Sequence, residues 1–207
     1  MGTVLLVNAS PKGKRSASAR IAAAFLDAYR ERHPEDTIRE IALFHYDLPE
    51  FGSLEVEAKF APIFGEPVTT DHREAWMRIE REIEIFKSAD KILLASPMWN
   101  LGIPYKLKHY IDILVQPTLT FGYDRERMMH IRLVRNKPLQ LILTRSSVLP
   151  GDFSDFQLPY LKYIFEFIGI HDIRVLTAWQ TTKPSHDERE AYIESFFPMA
   201  RDAARLF

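Results

Sequence analysis

The chain has 207 residues, 46% hydrophobic and 27% charged, which suits one globular α/β domain with a sizeable core. Its 27 basic and 28 acidic residues give a formal net charge of −1, so there is no basic footprint for nucleic acid. It has no cysteine, which excludes disulfides, thiol catalysis and cysteine-held metal centres, so any redox chemistry must come from a bound cofactor.

The apolar run TVLLVN, Thr3 to Asn8, reads as a strand buried on both faces of a parallel sheet. The basic segment KGKR follows that apolar start, the reverse of a secretory signal. No apolar run reaches the length of a membrane span, so a cytoplasmic protein without a membrane partner is expected. ASPKGKRSASAR is a loop of small and hydroxyl residues, and it opens a helix with Ile21, Ala24, Phe25, Ala28 and Tyr29 on one face. Pro34 ends that helix, and TIREIAL is the second strand.

Residues 44–68 are punctuated by Pro49, Gly52, Pro62, Gly65 and Pro67, which predicts a long surface excursion holding one short helix. Asp71 and Glu74 have capping-box spacing before a long helix carrying Trp76, Ile79, Ile83 and Phe86. KILLAS is the third strand. Pro104 is placed in the first turn of a helix whose Leu107, Ile111 and Leu114 face inward. PLQLILT is the fourth strand, and FQLPYLKYIFEFIG a helix closed by Gly169. IRVLTAW is the fifth strand, and one last helix runs from SHDERE to the end with a kink at Pro198. Strands alternating with helices predict a single α/β domain over residues 1–207, an open five-stranded parallel sheet in the order 2-1-3-4-5 with helices on both faces.

In such a sheet a ligand sits outside the carboxyl ends of the strands, where the strand order reverses. The loops after strands one, three and four should meet there. The first supplies hydroxyls from Ser10, Ser16 and Ser18, positive charge from Lys12, Lys14 and Arg15, and a helix N-terminus, a combination that suits a phosphate. Serines also cap helices without any ligand. The chain lacks both G-x-G-x-x-G and G-x-x-x-x-G-K-[ST], against a dinucleotide fingerprint and nucleotide hydrolysis. The second loop, SPMWNLGIP, offers a flat face from Trp99, a donor and an acceptor from Asn100, and close backbone approach at Gly102, as an aromatic heterocycle with polar edges would need. Helix packing for Trp99 and a turn role for Asn100 are the plainer alternatives. The seven histidines show no metal-ligand spacing, so no metal is assigned. G-x-S-x-G is missing, so no serine nucleophile is assigned. Trp76 and Trp179 are expected in the core, and HDEREAY as a helix start with a solvated face.

NASPKGKRSASAR, SPMWNLGIPYKLKHYID, TFGYD and LPYLKYIFEFIGI together resemble the flavodoxin-like NAD(P)H:quinone reductase family, in particular the FMN-dependent NADH-azoreductases of bacteria. The resemblance runs through nearly the whole chain. It implies noncovalent FMN, with Ser10, Ser16, Ala17 and Ser18 around the phosphate and Pro97, Met98, Trp99, Asn100 and Leu101 along one edge of the isoalloxazine ring. Thr144, Arg145, Ser146 and Ser147 stand where the family often has Ser-Arg-Gly-Gly against the flavin's pyrimidine edge. Tyr123 and Phe167 match positions that shape the substrate pocket, Phe167 from the partner subunit of a homodimer, though both residue types also suit core or interface packing. The implied activity is ping-pong transfer of two electrons from NADH or NADPH to a quinone or azo compound. A flavodoxin-type electron carrier and a flavin-free interaction module are the alternatives. The near-neutral charge and the excursion at 44–68, able to build a substrate pocket, argue against the carrier.

Overall fold

A computed structural model describes residues 1–148 and 155–207, with the Lys14 side chain left out. Residues 149–154, part of the loop predicted after the fourth strand, lie outside the described residues. The main strands are β1 (Thr3–Asn8), β2 (Thr37–Ala42), β3 (Lys91–Pro97), β6 (Leu139–Thr144) and β7 (Ile173–Ala178). They form one five-stranded, all-parallel sheet in the order β2-β1-β3-β6-β7, the order expected from the sequence.

Alternation along the strands divides the core in two. Leu5, Val7, Ile92, Leu94, Leu141 and Leu143 face one side of the sheet. There they meet α3 (Thr70–Ser88) through Ile79, Ile83 and Phe86, α4 (Tyr105–Leu114) through Leu107 and Ile111, and α5 (Gln157–Ile168) through Leu161 and Phe165. Val4, Leu6, Leu93, Ala95, Ile142 and Leu176 face the other side. They pack on α1 (Ala17–Arg32) through Ile21, Phe25 and Tyr29, and on the C-terminal helices through Ile193, Ala200 and Ala204. Each fully buried Leu, Ile or Phe adds about 1.5–3 kcal/mol, and burial on both faces explains the near-continuous apolar runs.

Several boundaries differ from the sequence reading. The excursion carries α2 (Ser53–Phe64), a helix of 12 residues with Pro62 inside it. Thr69, not Asp71, caps α3, its side chain accepting from the His72 amide at 3.1 Å. Pro104 is the N-cap of α4 rather than a residue of its first turn. The last helix is two helices, α6 (His186–Glu194) and α7 (Phe197–Arg205), and the break falls at Ser195 and Phe196. Pro198 then stands in the first turn of α7, where its missing N–H has no helical acceptor to lose.

A hairpin of β4 (Phe121–Asp124) and β5 (Met129–Arg132), paired antiparallel apart from the main sheet, was not anticipated. Lys137 caps the end of α3 from a distance. Its Nζ donates to the carbonyls of Lys87 at 2.7 Å, Phe86 at 3.3 Å and Ala89. Burial, and then the Arg135 charge, push its ammonium down to about 8, against the pull of the Asp90 carboxylate. Among the described residues no helix is long and apolar enough to cross a membrane.

Candidate functional site

Backbone hydrogen bonds draw the loops at the carboxyl edge together. The Ala9 amide donates to the Ala95 carbonyl at 2.8 Å, Met98 to Thr144 at 2.8 Å, and Arg145 to Ala178 at 2.9 Å. Thr181 then donates its amide to the Arg145 carbonyl at 2.9 Å, which folds the loop after β7 over the others. A cleft of about 160 Å³ opens between them.

One end of the cleft is built for an anion. Ser16 caps α1, its Oγ accepting from the Ala19 amide at 3.3 Å. Ser16 Oγ and Ser18 Oγ lie 3.1 Å apart, and the Ser10 amide donates to Asn8 Oδ1 at 3.2 Å. Ser10, Ser16 and Ala17 line the cleft together with the exposed Lys12. The first-turn amides of α1 have no intrahelical acceptors, and the helix dipole favours negative charge there. Buried hydroxyls, open amides and a nearby cation are the donor set a phosphate needs. Ser18 is fully buried and does not line the cleft; its hydroxyl is turned to Ser16.

The other end holds a strained turn. Trp99 and Gly102 exchange backbone hydrogen bonds of 3.1 and 2.9 Å. The two residues between them, Asn100 and Leu101, have φ of 48° and 67°. Positive φ at both central positions is the type I′ pattern. The left-handed conformation costs a residue such as Leu101 roughly 1–2 kcal/mol. Gly102 has an ordinary φ, and an added Cβ would lie 3.8 Å from the Trp99 carbonyl oxygen, an ordinary contact, so the close approach expected there is not required by the turn.

Pro97, Met98, Trp99, Thr144 and Ser146 line the cleft as expected. Arg145 is buried and its guanidinium turns away from the opening. It pairs with Asp155, reaches Gln157 Oε1 at 3.5 Å and lies 4.0 Å above the Trp179 ring. Trp179 is accordingly a half-buried lid on Arg145, not a core residue. Ser147 is exposed and outside the cleft lining. Thr181, Thr182 and Arg189 also line it. The sequence reading missed all three, and Arg189 fell in the helix start taken as a solvated face.

Beyond the turn an apolar cavity of about 780 Å³ is walled by Phe51, Trp99, Ile103 and Tyr105. Phe44, at the start of the excursion, packs at a tilt against Trp99 and edge-on against Tyr105, with ring centroids 5.6 and 5.5 Å away. Lys108 and Asp112 form an ion pair of 2.6 Å at its edge, and His109 Nε2 meets the Pro49 carbonyl at 2.9 Å. Next to it, burial and then the Asp112 carboxylate push Tyr160 up to about 12, so its phenol remains a donor at neutral pH.

Tyr123 and Phe167 do not line the cleft of their own chain. Tyr123 is exposed on the hairpin opposite His130, and the Phe167 ring stacks on His130 at 4.2 Å and on Phe121 at 4.9 Å. Both belong to a separate aromatic patch. The hairpin also exposes Met128, Met129 and Ile131.

Residues 2–196 match the family described as having a flavodoxin-like fold. A relative from Nitratidesulfovibrio vulgaris, an FMN-dependent NADH:quinone oxidoreductase, is 39% identical with 100% of both chains covered. Among solved structures, an azoreductase from Bacillus anthracis superposes with a TM-score of 0.86 and 27% identity over 100% of both chains. An FMN-dependent NADH-azoreductase from the same species, solved in complex with FMN, gives a TM-score of 0.85 and 25% identity, covering 99% of this chain and 98% of that one.

Proposed function

Because the chain belongs to the flavodoxin-like fold family, we propose that it is an FMN-dependent NADH:quinone oxidoreductase that also accepts azo compounds. The observation that carries this reading is one cleft whose lining joins a hydroxyl-lined helix N-terminus to Pro97, Met98 and Trp99, with the strained turn at Asn100 and Leu101 just outside that lining. A phosphate and a flat polar-edged ring fit these two ends.

FMN bound there would supply the redox chemistry, a two-electron hydride transfer between NADH and the acceptor. Ser10, Ser16 and the first turn of α1 hold the phosphate, aided by Ala17 and by the Ser16–Ser18 hydroxyl contact. Pro97, Met98 and Trp99 flank the ring edge, with Asn100 and Leu101 in the I′ turn that follows them. Thr144 and Ser146 offer hydroxyls at the opposite edge, and Arg145 fixes that loop from behind. Phe51, Trp99 and Tyr105, with Phe44 packed behind them, offer an aromatic wall beside the ring. The donor would leave before the acceptor takes its place, a ping-pong order in which water supplies the proton that must accompany the hydride, so no side-chain acid or base is required.

The protein works as a homodimer in the cytoplasm. The exposed apolar edge of Tyr123, Met128, Met129 and Ile131 is the kind of surface a second subunit covers, and Tyr123 and Phe167 contribute to substrate binding across it.

The test is the visible absorbance of the purified protein, identification of the chromophore released on heating, and turnover with NADH and a soluble quinone. Flavin bands, free FMN and turnover are expected. A colourless protein that fails to bind added FMN refutes the proposal.

A further inference from the structure

Resting on the FMN reading, we propose that Arg189 binds the cofactor's phosphate directly and sets the preference for FMN over unphosphorylated flavin. Arg189 is far from the first loop in sequence and near it in space. It stands early in α6, where Ser185 caps the helix by accepting from the Glu188 amide at 3.2 Å. The chain folds α6 back on the start of α1, and Arg189 Nη2 donates to the Arg15 carbonyl at 3.1 Å across 174 residues. Nη1 donates to Glu190 Oε1 at 2.9 Å. A guanidinium carries five N–H donors, so these two bonds leave others for a ligand.

The charge balance points the same way. A phosphate monoester near neutral pH carries close to two negative charges, and a helix N-terminus offsets roughly half of one. The hydroxyls of Ser10 and Ser16 are neutral. Lys12 is exposed, so water screens it. The Arg189 side chain keeps only 26% of its exposure, lines the cleft beside Ser10 and Ser16, and is held by two protein acceptors before any ligand arrives. Glu190 is shared, because Arg20 also pairs with it and, at 3.0 Å, with Glu194. A pre-positioned, planar, always-charged fork suits phosphate better than a hydrated lysine.

The experiment compares FMN and riboflavin binding to apoprotein, by quenching of flavin fluorescence, across a salt series. Arg189→Gln retains a donor for the Arg15 carbonyl and removes the charge. It is expected to weaken FMN binding about tenfold at low salt, with riboflavin changed less than about twofold, the size of one charge-assisted contact. The FMN difference should narrow as salt rises. Arg189→Lys should retain much of the preference, and it serves as the second variant if Arg189→Gln does not fold. An unchanged FMN-to-riboflavin ratio in Arg189→Gln, or equal weakening of both flavins, overturns the inference alone. So does an Arg189→Lys protein as impaired as the glutamine variant. Wild-type protein that binds neither flavin overturns the proposed function and this inference together.

Discussion

Arg145→Met removes the buried cation behind the third loop. Arg145 is 3% exposed and faces three things: the Asp155 carboxylate, the Gln157 amide and the Trp179 ring. Removing one partner of a buried pair costs about 3–5 kcal/mol, because the remaining charge is left uncompensated. Asp155 retains 22% exposure, so water relieves part of that cost and the low end, about 3 kcal/mol, is expected. For a chain of this size such a loss lowers the thermal midpoint by roughly 6–12 °C. Asp155→Asn orphans Arg145 instead, yet keeps an oxygen for the Gln157 and Leu158 amides, which Asp155 Oδ1 now accepts at 2.9 and 3.2 Å. The double variant should therefore lose less than the two single losses added, by at least about 1 kcal/mol of coupling. Urea unfolding followed by circular dichroism measures all three. A single loss below about 1 kcal/mol, or strict additivity, refutes the claim that this pair holds the loop.

Other outcomes follow from local geometry. Tyr29 Oη donates to Asp36 at 2.6 Å and the Gly2 amide donates to the same carboxylate, and these bonds hold Asp36 below its ordinary 3.8. A depressed carboxylate stabilises the fold above its unfolded value and loses that contribution as pH falls through its folded value. Asp36→Asn should therefore be less stable than wild type at pH near 7, with the gap closing below about pH 4, as urea midpoints at several pH values will report. Gly169 has φ of 125°, and an added Cβ would lie 2.4 Å from the Val134 carbonyl oxygen. Gly169→Ala should cost about 2–3 kcal/mol in the same unfolding assay. Ser16→Ala removes the α1 cap, with a loss of about 1 kcal/mol in apoprotein stability and a weaker hold on FMN than on riboflavin.

Most of the frame was legible because its causes are local. Apolar runs such as TVLLVN marked the strands, and helical spacing of Ile79, Ile83 and Phe86 marked α3. The β4–β5 hairpin was missed because its strands are only four residues long and enclose the charged RERM segment, with no sustained alternation. The break before α7 was placed at its proline, though a proline in a first turn leaves a helix intact.

The site divides the same way. Hydroxyls, a helix start and Met-Trp-Asn at a strand end follow from residue order, so Ser10, Ser16 and Trp99 could be read directly. The resemblance carried over the positions of Arg145 and Phe167; the structure turns Arg145 inward, and Phe167, expected to act across a subunit boundary, packs on His130 and Phe121 away from its own chain's cleft. Nothing in the sequence placed Arg189 or Thr181 beside the first loop, or Lys137 under the end of α3. By itself the sequence determined the layered parallel sheet and which loops would meet, because side-chain periodicity and strand order act through neighbours along the chain. Only the tertiary structure decided which charges face the cleft and which are buried as struts, because a cation's role depends on the acceptors that folding brings to it across more than a hundred residues.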